Sequence, residues 1–378
     1  MTAAAAEPLL LMTPGPTRVP DRVLRAGARP MIHHRSPEFS RELTVAIELL
    51  GPVFGTRTRP LPVHTTGRGA LEATICNLFS PGDELAVCCN GQFGEMWARF
   101  AESYGVVVHR FSRDWERDAD AAELQALLDR HPAVRAVALT YGDTSTAVAN
   151  EVASVAYVAG AYGALTLVDG VSSIGGMPFS FDDWEVDVAV VATQKCLMSS
   201  PGMAWVAVSE RAWRAARTAR LPRNYWDFAA IRNEISRPKP ETPGTTPVHL
   251  VLQVAEALRM MHEEGLENVY ARHRLLADRV AESIAALGLS MQCPRLARRS
   301  TTLTAIALPA GVRPSSVRDG LKARGILTAA GLDRYKEIGF RIGHMGDIRL
   351  ADVDRTLSAL EAVFREIPSE DTRETVAG

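Results

Sequence analysis

Short apolar runs alternate with amphipathic helical patterns between about residues 61 and 209. Several of these runs have the length and the Val, Ile, Leu and Ala content of buried strands: Glu84–Cys89, Val106–Phe111, Val134–Thr140, Leu165–Asp169, Val186–Thr193 and Ala204–Ser209. They show no polar alternation, which is typical of strands covered on both faces of a sheet. Between them, apolar residues such as Trp97, Ala101 and Tyr104 recur at helical spacing. The pattern therefore predicts an α/β domain with a mainly parallel sheet.

The pattern changes after this region. Residues 218–247 are rich in Pro, Arg, Asn and aromatic residues, and we expect a long irregular connection there. A helical stretch is predicted from Val248 to Leu287, with an interruption near Gly265. A smaller α+β domain is expected to follow, with strands at Thr302–Leu308 and Phe340–Gly343, a helix over Ser315–Arg324 and a final amphipathic helix.

These patterns divide the chain into four segments. Residues 1–18 are expected to form an N-terminal arm, residues 19–262 a large domain, residues 263–368 a small C-terminal domain and residues 369–378 a tail. The tail and the first eight residues have a polar or Ala-rich composition that predicts disorder.

The near-zero net charge of the chain argues against some classes of binding partner. The 378 residues include 42 Lys and Arg against 44 Asp and Glu, which gives a formal net charge of −2. Such a chain has no bulk field that attracts nucleic acid or an anionic membrane. Its apolar runs are also far shorter than a membrane span. We therefore expect small-molecule partners, with any anion bound at a local site.

The number and spacing of the cysteines indicate the cellular compartment in which the protein is expected. Five cysteines form no CxxC pair and make an odd number, which does not suit a disulfide framework. The start of the chain lacks the basic region and long apolar run of a secretory signal. A reducing cytoplasm is the expected setting. Because no cluster of His, Cys and carboxylate residues has zinc spacing, no metal is predicted.

In open α/β sheets, ligands collect at the carboxyl ends of the strands, so the residues after each strand are the candidates for chemistry. Lys195 follows the run Val186–Thr193, where desolvation lowers a lysine pKa toward that of a nucleophilic amine. Asp169 ends another run, and a buried carboxylate needs a cationic partner such as the ring nitrogen of pyridoxal phosphate. A solvated lysine, and an aspartate that caps the turn at Gly170, are the ordinary alternatives for each residue alone. Asp169 and Lys195 together, at the ends of two candidate neighbouring strands, are a more specific indication of a cofactor site than either residue alone.

A glycine-rich helix start is the third candidate. Residues 65–73 read TTGRGALEA, with Gly67 and Gly69 on either side of Arg68. The free N–H groups and the positive dipole end of such a helix can bind a phosphate, and Thr66 adds a hydroxyl. An ordinary N-cap with glycine in a turn is the alternative. The sequence contains no GxGxxG or P-loop motif to accompany it, which argues against a nucleotide.

Further candidates lie in other loops. The hydroxyl of Thr144 is suited to bond a phosphate or a phenolate oxygen, and Phe93 to stack on a planar ring. A polar turn and a core aromatic residue are the alternatives. Thr242 and Thr245 belong to a rigid TPGTTP loop that can reach a phosphate. Arg341, in an apolar strand-like run, presents a guanidinium suited to a substrate carboxylate, unless it is an arginine on the surface of an edge strand.

Together these residues resemble the class V aminotransferases, specifically the alanine–glyoxylate and serine–pyruvate group of pyridoxal phosphate enzymes with fold type I. The similarity covers nearly the whole chain. Its strongest motifs are Thr13–Pro16, His34–Phe39, Asp169–Ser173, Gly175-Gly176, Gln194-Lys195 and Phe340–Gly343. The resemblance implies a large domain with a mainly parallel seven-stranded sheet flanked by helices, a smaller C-terminal α+β domain, and a homodimer with shared active sites.

The resemblance also assigns roles around the cofactor ring. It implies that Lys195 is the Schiff-base lysine and the general acid and base, and that Asp169 pairs with the pyridine nitrogen. Val171 is expected to pack under the ring and Phe93 over it, while Thr144 bonds the ring oxygen.

Phosphate and substrate contacts follow from the same resemblance. The phosphate is expected to be held by Gly67, Arg68, Gly69, Gln194 and Thr242, together with Thr245 of the partner subunit. Arg341 is expected to bind the α-carboxylate of the substrate. His34 lies in an N-terminal segment that is expected to line the substrate site.

The implied reaction moves an amino group from a small amino acid, such as alanine or serine, to a small 2-keto acid such as glyoxylate or pyruvate. Some positions depart from the family pattern: Tyr141 replaces a common His, Ala147 a Gly, and Thr242 a Tyr or Asn. Arg68, in the phosphate-binding loop, makes this loop similar to that of ureidoglycine–glyoxylate enzymes. Ureidoglycine or an aminophosphonate as donor, a lyase reaction, and a non-catalytic relative of the fold remain the alternatives.

Overall fold

The computed structural model describes residues 8–366 of the chain. The disorder predicted for the tail, and for all but the last of the first eight residues, concerns segments outside this range. Within it, no helix is long and apolar enough to cross a membrane.

The large sheet has the strand order β2-β8-β7-β6-β5-β3-β4. Its strands are β2 (Leu61–Val63), β3 (Glu84–Cys88), β4 (Val107–Phe111), β5 (Val134–Thr140), β6 (Leu165–Asp169), β7 (Val188–Ala192) and β8 (Ala204–Val208). Strand β8 is antiparallel to both of its neighbours, and every other pairing is parallel. All strands except β8 therefore point the same way and end at the same edge. The predicted seven-stranded, mainly parallel sheet is confirmed.

Helices cover this sheet and form much of the second domain. They are α1 (Asp21–Gly27), α2 (Pro37–Phe54), α3 (Gly67–Leu78), α4 (Gln92–Ser103), α5 (Ala121–Arg130), α6 (Val152–Ala161), α7 (Glu210–Ala216), α8 (Phe228–Ile235), α9 (Val248–Glu264), α10 (Leu266–Ala286), α11 (Pro314–Ala323) and α12 (Leu350–Glu366). Helix α2 shows how local sequence sets the bounds. The hydroxyl of Ser36 accepts a hydrogen bond from the Phe39 N–H at 3.1 Å, and the helix ends at Gly55, whose φ is 66°.

The C-terminal domain contains a four-stranded antiparallel sheet in the order β12-β13-β10-β9. Its strands are β9 (Ser290–Met291), β10 (Leu303–Ala307), β12 (Ala329–Ala330) and β13 (Gly339–Gly343), while β1 (Leu10–Leu11) pairs in parallel with β11 (Ile326–Leu327). The N-terminal arm is thus joined to the small domain. The predicted small α+β domain is confirmed, and the helical stretch that begins at Val248 is interrupted at Gly265 as expected.

The two largest hydrophobic cores of the described residues belong to the large domain and to the small C-terminal domain. The larger core contains the seven-stranded sheet and its helices, with Trp97, Phe181 and Trp205 fully buried. The smaller core packs α10, α11 and α12 on the second sheet and includes Met12 of the arm and Phe340 of β13.

Two sequence expectations need correction. Residues 218–247 are not wholly irregular, because α8 forms there. Its N-cap is Asp227, whose carboxylate accepts a hydrogen bond from the Ala229 N–H at 2.9 Å. That aspartate was an N-cap signal available in the sequence. Strand β4 is not buried on both faces: it lies at one edge of the sheet, and Val107 is 47% exposed.

Candidate active site

The candidate residues converge at the carboxyl edge of the large sheet. Asp169 ends β6, Lys195 follows the neighbouring β7, Thr144 follows β5, and Phe93 lies in the first turn of α4 after β3. Helix α3 begins at the same edge, after β2. Because these strands are parallel, their carboxyl ends lie side by side and bring the residues together.

Asp169 is a buried carboxylate, with only 3% of the residue exposed. One carboxylate oxygen accepts a hydrogen bond from the Val171 N–H at 2.9 Å. Burial is the main cause that raises the pKa of Asp169 to about 7, against the Val171 N–H hydrogen bond, which lowers it; the nearby Asp143 charge also raises this pKa and the Lys195 charge lowers it. Since no arginine, lysine or histidine within residues 8–366 forms an ion pair with it, this carboxylate fits a protonated ring nitrogen as its partner.

Lys195 lies in the turn after β7, and its ammonium donates a hydrogen bond to the carbonyl of Pro14. Gly15, with φ of 109°, lies against the same side chain, and a Cβ at this position would lie 2.6 Å from Nζ. The close approach of the arm explains the glycine of the Thr13–Pro16 motif. Burial, together with the nearby Arg341 charge, lowers the pKa of Lys195 to about 8. A neutral, nucleophilic amine is therefore accessible close to neutral pH.

A cavity of about 290 Å³ adjoins Asp169 and is also lined by Val171, Phe93, Gly67 and Leu332. A Cβ at Gly67 would lie 2.6 Å from Cγ2 of Val171, so glycine is needed where α3 approaches the β6 loop. The N-cap residue of α3 makes no side-chain cap hydrogen bond, which leaves the N–H groups of the first turn open to a ligand. The aromatic and aliphatic walls and the open helix start fit a phosphorylated aromatic ring.

The hydroxyl of Thr144 is buried and lies 2.6 Å from the hydroxyl of Ser172. The backbone carbonyl of Thr144 accepts a hydrogen bond from Nη1 of Arg341 at 2.9 Å, and Nε of Arg341 donates to the Ala330 carbonyl at 2.8 Å. Arg341 is therefore held between the two domains, with the rest of its guanidinium free of protein hydrogen bonds among the described residues. Burial lowers the pKa of Arg341 to about 10. Its strand, β13, lies between β12 and β10, so Arg341 is not on an edge strand.

Asp143 is a residue of the candidate site that the sequence analysis does not single out. Its buried carboxylate accepts hydrogen bonds from the N–H groups of Phe93 at 3.1 Å and Ser145 at 2.7 Å, and from the Ser145 hydroxyl. It thereby ties the start of α4 to the loop that carries Thr144. The signal that identifies it is an acidic residue inside a polar loop directly after a buried strand.

Several predicted contacts are not brought to this cavity within one chain. His34 and Thr245 line a separate groove of about 700 Å³ that also contains the exposed Met31. The hydroxyl of Thr242 donates to the Gly244 carbonyl at 2.9 Å. Gln194 does lie beside Lys195, and its buried Oε1 has no hydrogen-bond partner among the described residues. Such an unsatisfied polar atom fits a residue that bonds a ligand.

Comparisons with known proteins agree with this geometry. The family described as "Aminotransferase class-V" matches residues 10–350. The chain belongs to the class V aminotransferases. The resemblance inferred from the sequence motifs is thereby confirmed.

Similar proteins cover nearly the whole class V aminotransferase chain. It is 37% identical to a Synechococcus protein named "Soluble hydrogenase, small subunit", over 95% of this chain and 93% of the other. It is 34% identical to the L-aspartate–glyoxylate aminotransferase of Paracoccus denitrificans, over 94% and 91% of the two chains. The crystal structure of an alanine–glyoxylate aminotransferase from Nostoc sp. superposes with a TM-score of 0.91 at 31% identity and covers 97% of each chain.

Tyr141 and Ala147 depart from the family pattern, and the structure of this class V aminotransferase shows the surroundings of both residues. The hydroxyl of Tyr141 donates to the Pro178 carbonyl at 2.7 Å, and its ring contacts Phe179 and Trp184. Ala147 has a φ of 60°, in the left-handed region where the glycine common in the family is free of strain.

One cluster of three side chains with metal-ligand atoms lies away from this site. Glu84, His109 and His131 have ligand atoms within 4.8 Å of one another. Nε2 of His109 already lies 2.7 Å from the Glu84 carboxylate, and the two imidazoles stack with their centroids 3.9 Å apart. Because stacked rings do not direct two nitrogens at one ion, we propose no metal there, and the absence of a metal cofactor stays a prediction.

Proposed function

We propose that this chain binds pyridoxal phosphate through Lys195 and transfers an amino group from a small amino acid to a small 2-keto acid such as glyoxylate or pyruvate. The observation that carries this proposal is the buried pair of Asp169 and Lys195 at the carboxyl ends of the neighbouring strands β6 and β7, with burial shifting both pKa values toward neutrality. Family membership supports the same reaction class.

Each residue has a defined task in this proposal. When bound, the cofactor supplies the electron sink that stabilises a carbanion. Asp169 keeps the ring nitrogen protonated, since its buried carboxylate gains a cationic partner. The Nζ atom of Lys195 takes up the α-proton of the substrate and releases it again, because its pKa of about 8 suits both roles.

Arg341 binds and orients the substrate carboxylate. Two of its N–H groups are fixed on the carbonyls of Thr144 and Ala330, so the guanidinium has a set direction. The remaining donors offer charge-assisted hydrogen bonds to a carboxylate. Because Arg341 comes from the small domain and Lys195 from the large one, the substrate is held where the two domains meet.

We further propose a two-fold homodimer. The groove with Met31, His34 and Thr245 is apolar and open in the single chain. A second copy that covers it would bring Thr245 to the phosphate of the neighbouring cavity. This arrangement supports the shared active site that the family resemblance implies.

A half-reaction tests the proposed activity. Cofactor-loaded protein is mixed with alanine, serine or aspartate in the absence of any keto acid, and the keto acid released is measured by mass spectrometry. We expect one keto acid per active site from the true donor, with the cofactor restored by glyoxylate. Arg341→Met should reduce kcat/KM about ten- to hundredfold, the cost of charge-assisted hydrogen bonds.

The matched control is Arg279→Met, which removes a half-buried arginine of α10 that pairs with Asp354, away from the cavity. It should leave kcat/KM unchanged. Release of ammonia with the keto acid would indicate a lyase instead. Failure of every amino donor tested, ureidoglycine and an aminophosphonate included, would reject the transaminase proposal.

A further inference from the structure

Two arginines lie at the rim of the candidate cofactor cavity. Arg68 is the second residue of α3, and Arg99 lies on α4 about two turns after Phe93. Both line the cavity that contains Asp169. Arg99 belongs to none of the sequence motifs, and only the packing of α4 beside α3 brings it to this rim.

Neither arginine has an anionic partner in the described part of the chain. No carboxylate lies within ion-pairing distance of Arg68 or Arg99, whereas Arg110, on the adjacent edge strand, contacts Glu95 at 3.1 Å and Glu102 at 2.6 Å. The guanidinium of Arg68 lies 5.5 Å from the centre of the Phe100 ring. This cation–π contact holds the Arg68 side chain against α4. Two unpaired cations therefore face the same opening.

A bound phosphate brings more negative charge than the start of α3 can neutralise. A phosphate monoester carries about −1.5 to −2 charges at neutral pH. The start of α3 supplies about half a positive charge, and Gln194 and the hydroxyl residues supply none. At least one full negative charge is left, and planar guanidinium groups match phosphate oxygens with paired hydrogen bonds.

We propose that Arg99 is a phosphate-binding residue, which together with Arg68 clamps the phosphate of the cofactor from the α4 side. This inference rests on the proposed function, because it requires pyridoxal phosphate in the cavity. It adds a residue of this chain that lies outside the glycine-rich helix start. The binding energy from Arg99 depends on the phosphate and not on the ring or on Lys195.

The test compares the phosphorylated ligand with the same ring that lacks phosphate. Cofactor-free wild type, Arg99→Met, Arg99→Lys and Arg68→Met are titrated with pyridoxal phosphate and with pyridoxal, and dissociation constants are read from the absorbance change. We expect Arg99→Met to weaken pyridoxal phosphate binding about ten- to hundredfold and to leave pyridoxal binding unchanged. Arg99→Lys should lose less, since the charge is kept, and Arg68→Met should show the same selectivity for the phosphorylated ligand.

Arg130→Met is the matched control. Arg130 is an exposed arginine at the end of α5, away from the cavity, so its loss changes the net charge equally and should alter neither constant. Equal binding of pyridoxal phosphate by wild type and Arg99→Met would overturn the inference while leaving the proposed function intact. Equal weakening of both ligands would also overturn it, since it would indicate a change in the ring site. If wild type bound neither ligand, the proposed function would fail and the inference with it.

Discussion

At the scale of single residues, burial disfavours the charged forms of Asp169 and Lys195. The pKa of Asp169 is raised from its ordinary value of 3.8 to about 7, and that of Lys195 is lowered from 10.5 to about 8. For Asp169, the folded chain holds a proton that the unfolded chain has lost between about pH 4 and pH 7. Stability therefore falls as pH rises through this window. A ligand with a protonated ring nitrogen would remove this cost.

Asp169→Asn should have opposite effects with and without the cofactor. In the cofactor-free protein it should raise the melting temperature by a few degrees at pH 8, because an uncharged amide replaces a buried carboxylate. The gain should shrink as pH falls toward 4, because the folded chain then holds Asp169 protonated and the unfolded chain begins to take up the same proton, and this serves as the internal control. In the loaded protein the same change should weaken cofactor binding. Calorimetry across pH, with and without pyridoxal phosphate, measures both effects; a stabilisation that does not change with pH would contradict the assignment.

At the scale of elements, the helix start at Gly67 and the loop after β6 form one packed unit. Gly67 touches Val171, and Asp169 two residues earlier accepts the Val171 N–H. The cavity wall, the ring-nitrogen partner and the open end of α3 are thus coupled through Val171. Any side chain at position 67 must displace this unit.

Gly67→Ala should weaken binding of pyridoxal phosphate, since the new Cβ would lie 2.6 Å from Cγ2 of Val171. We expect a loss of about 1–3 kcal/mol in binding free energy, the usual cost of overpacking. Gly160→Ala in α6 is the matched control, because the nearest atoms to its added Cβ are 3.9 Å away. It should leave binding unchanged and stabilise the fold by about 0.5–1 kcal/mol. Equal affinities of the two variants in an equilibrium titration would show that α3 does not close on the cofactor.

The elements also show what the sequence can and cannot predict. Lys195 and Asp169 were predictable because strand ends in a parallel sheet meet at one edge, whatever the loops do. Leu332 and Arg99 were not, since they reach the cavity only through the docking of the small domain and the packing of α4 on α3. The burial of β4 was overpredicted because an apolar run does not reveal whether its strand lies at an edge.

At the scale of the whole molecule, the N-terminal arm links the two domains at the site. Strand β1 pairs with β11 of the small domain, and the Met12 carbonyl accepts the Gly343 N–H at 2.8 Å, two residues after Arg341. The arm then continues to Pro14, whose carbonyl accepts a hydrogen bond from Lys195. The N-terminal arm therefore contacts both Lys195 and the strand that carries Arg341. These contacts explain why the Thr13–Pro16 motif belongs to the site although it is far from both residues in sequence.

The central claim is that Lys195 carries the cofactor, and chemical trapping tests it most directly. Purified protein is incubated with pyridoxal phosphate and reduced with borohydride, and the labelled peptide is identified by mass spectrometry. We predict a single reduced pyridoxyl phosphate on Lys195, and none in Lys195→Ala treated in the same way. Labelling spread over surface lysines, or unchanged total labelling in Lys195→Ala, would contradict the claim.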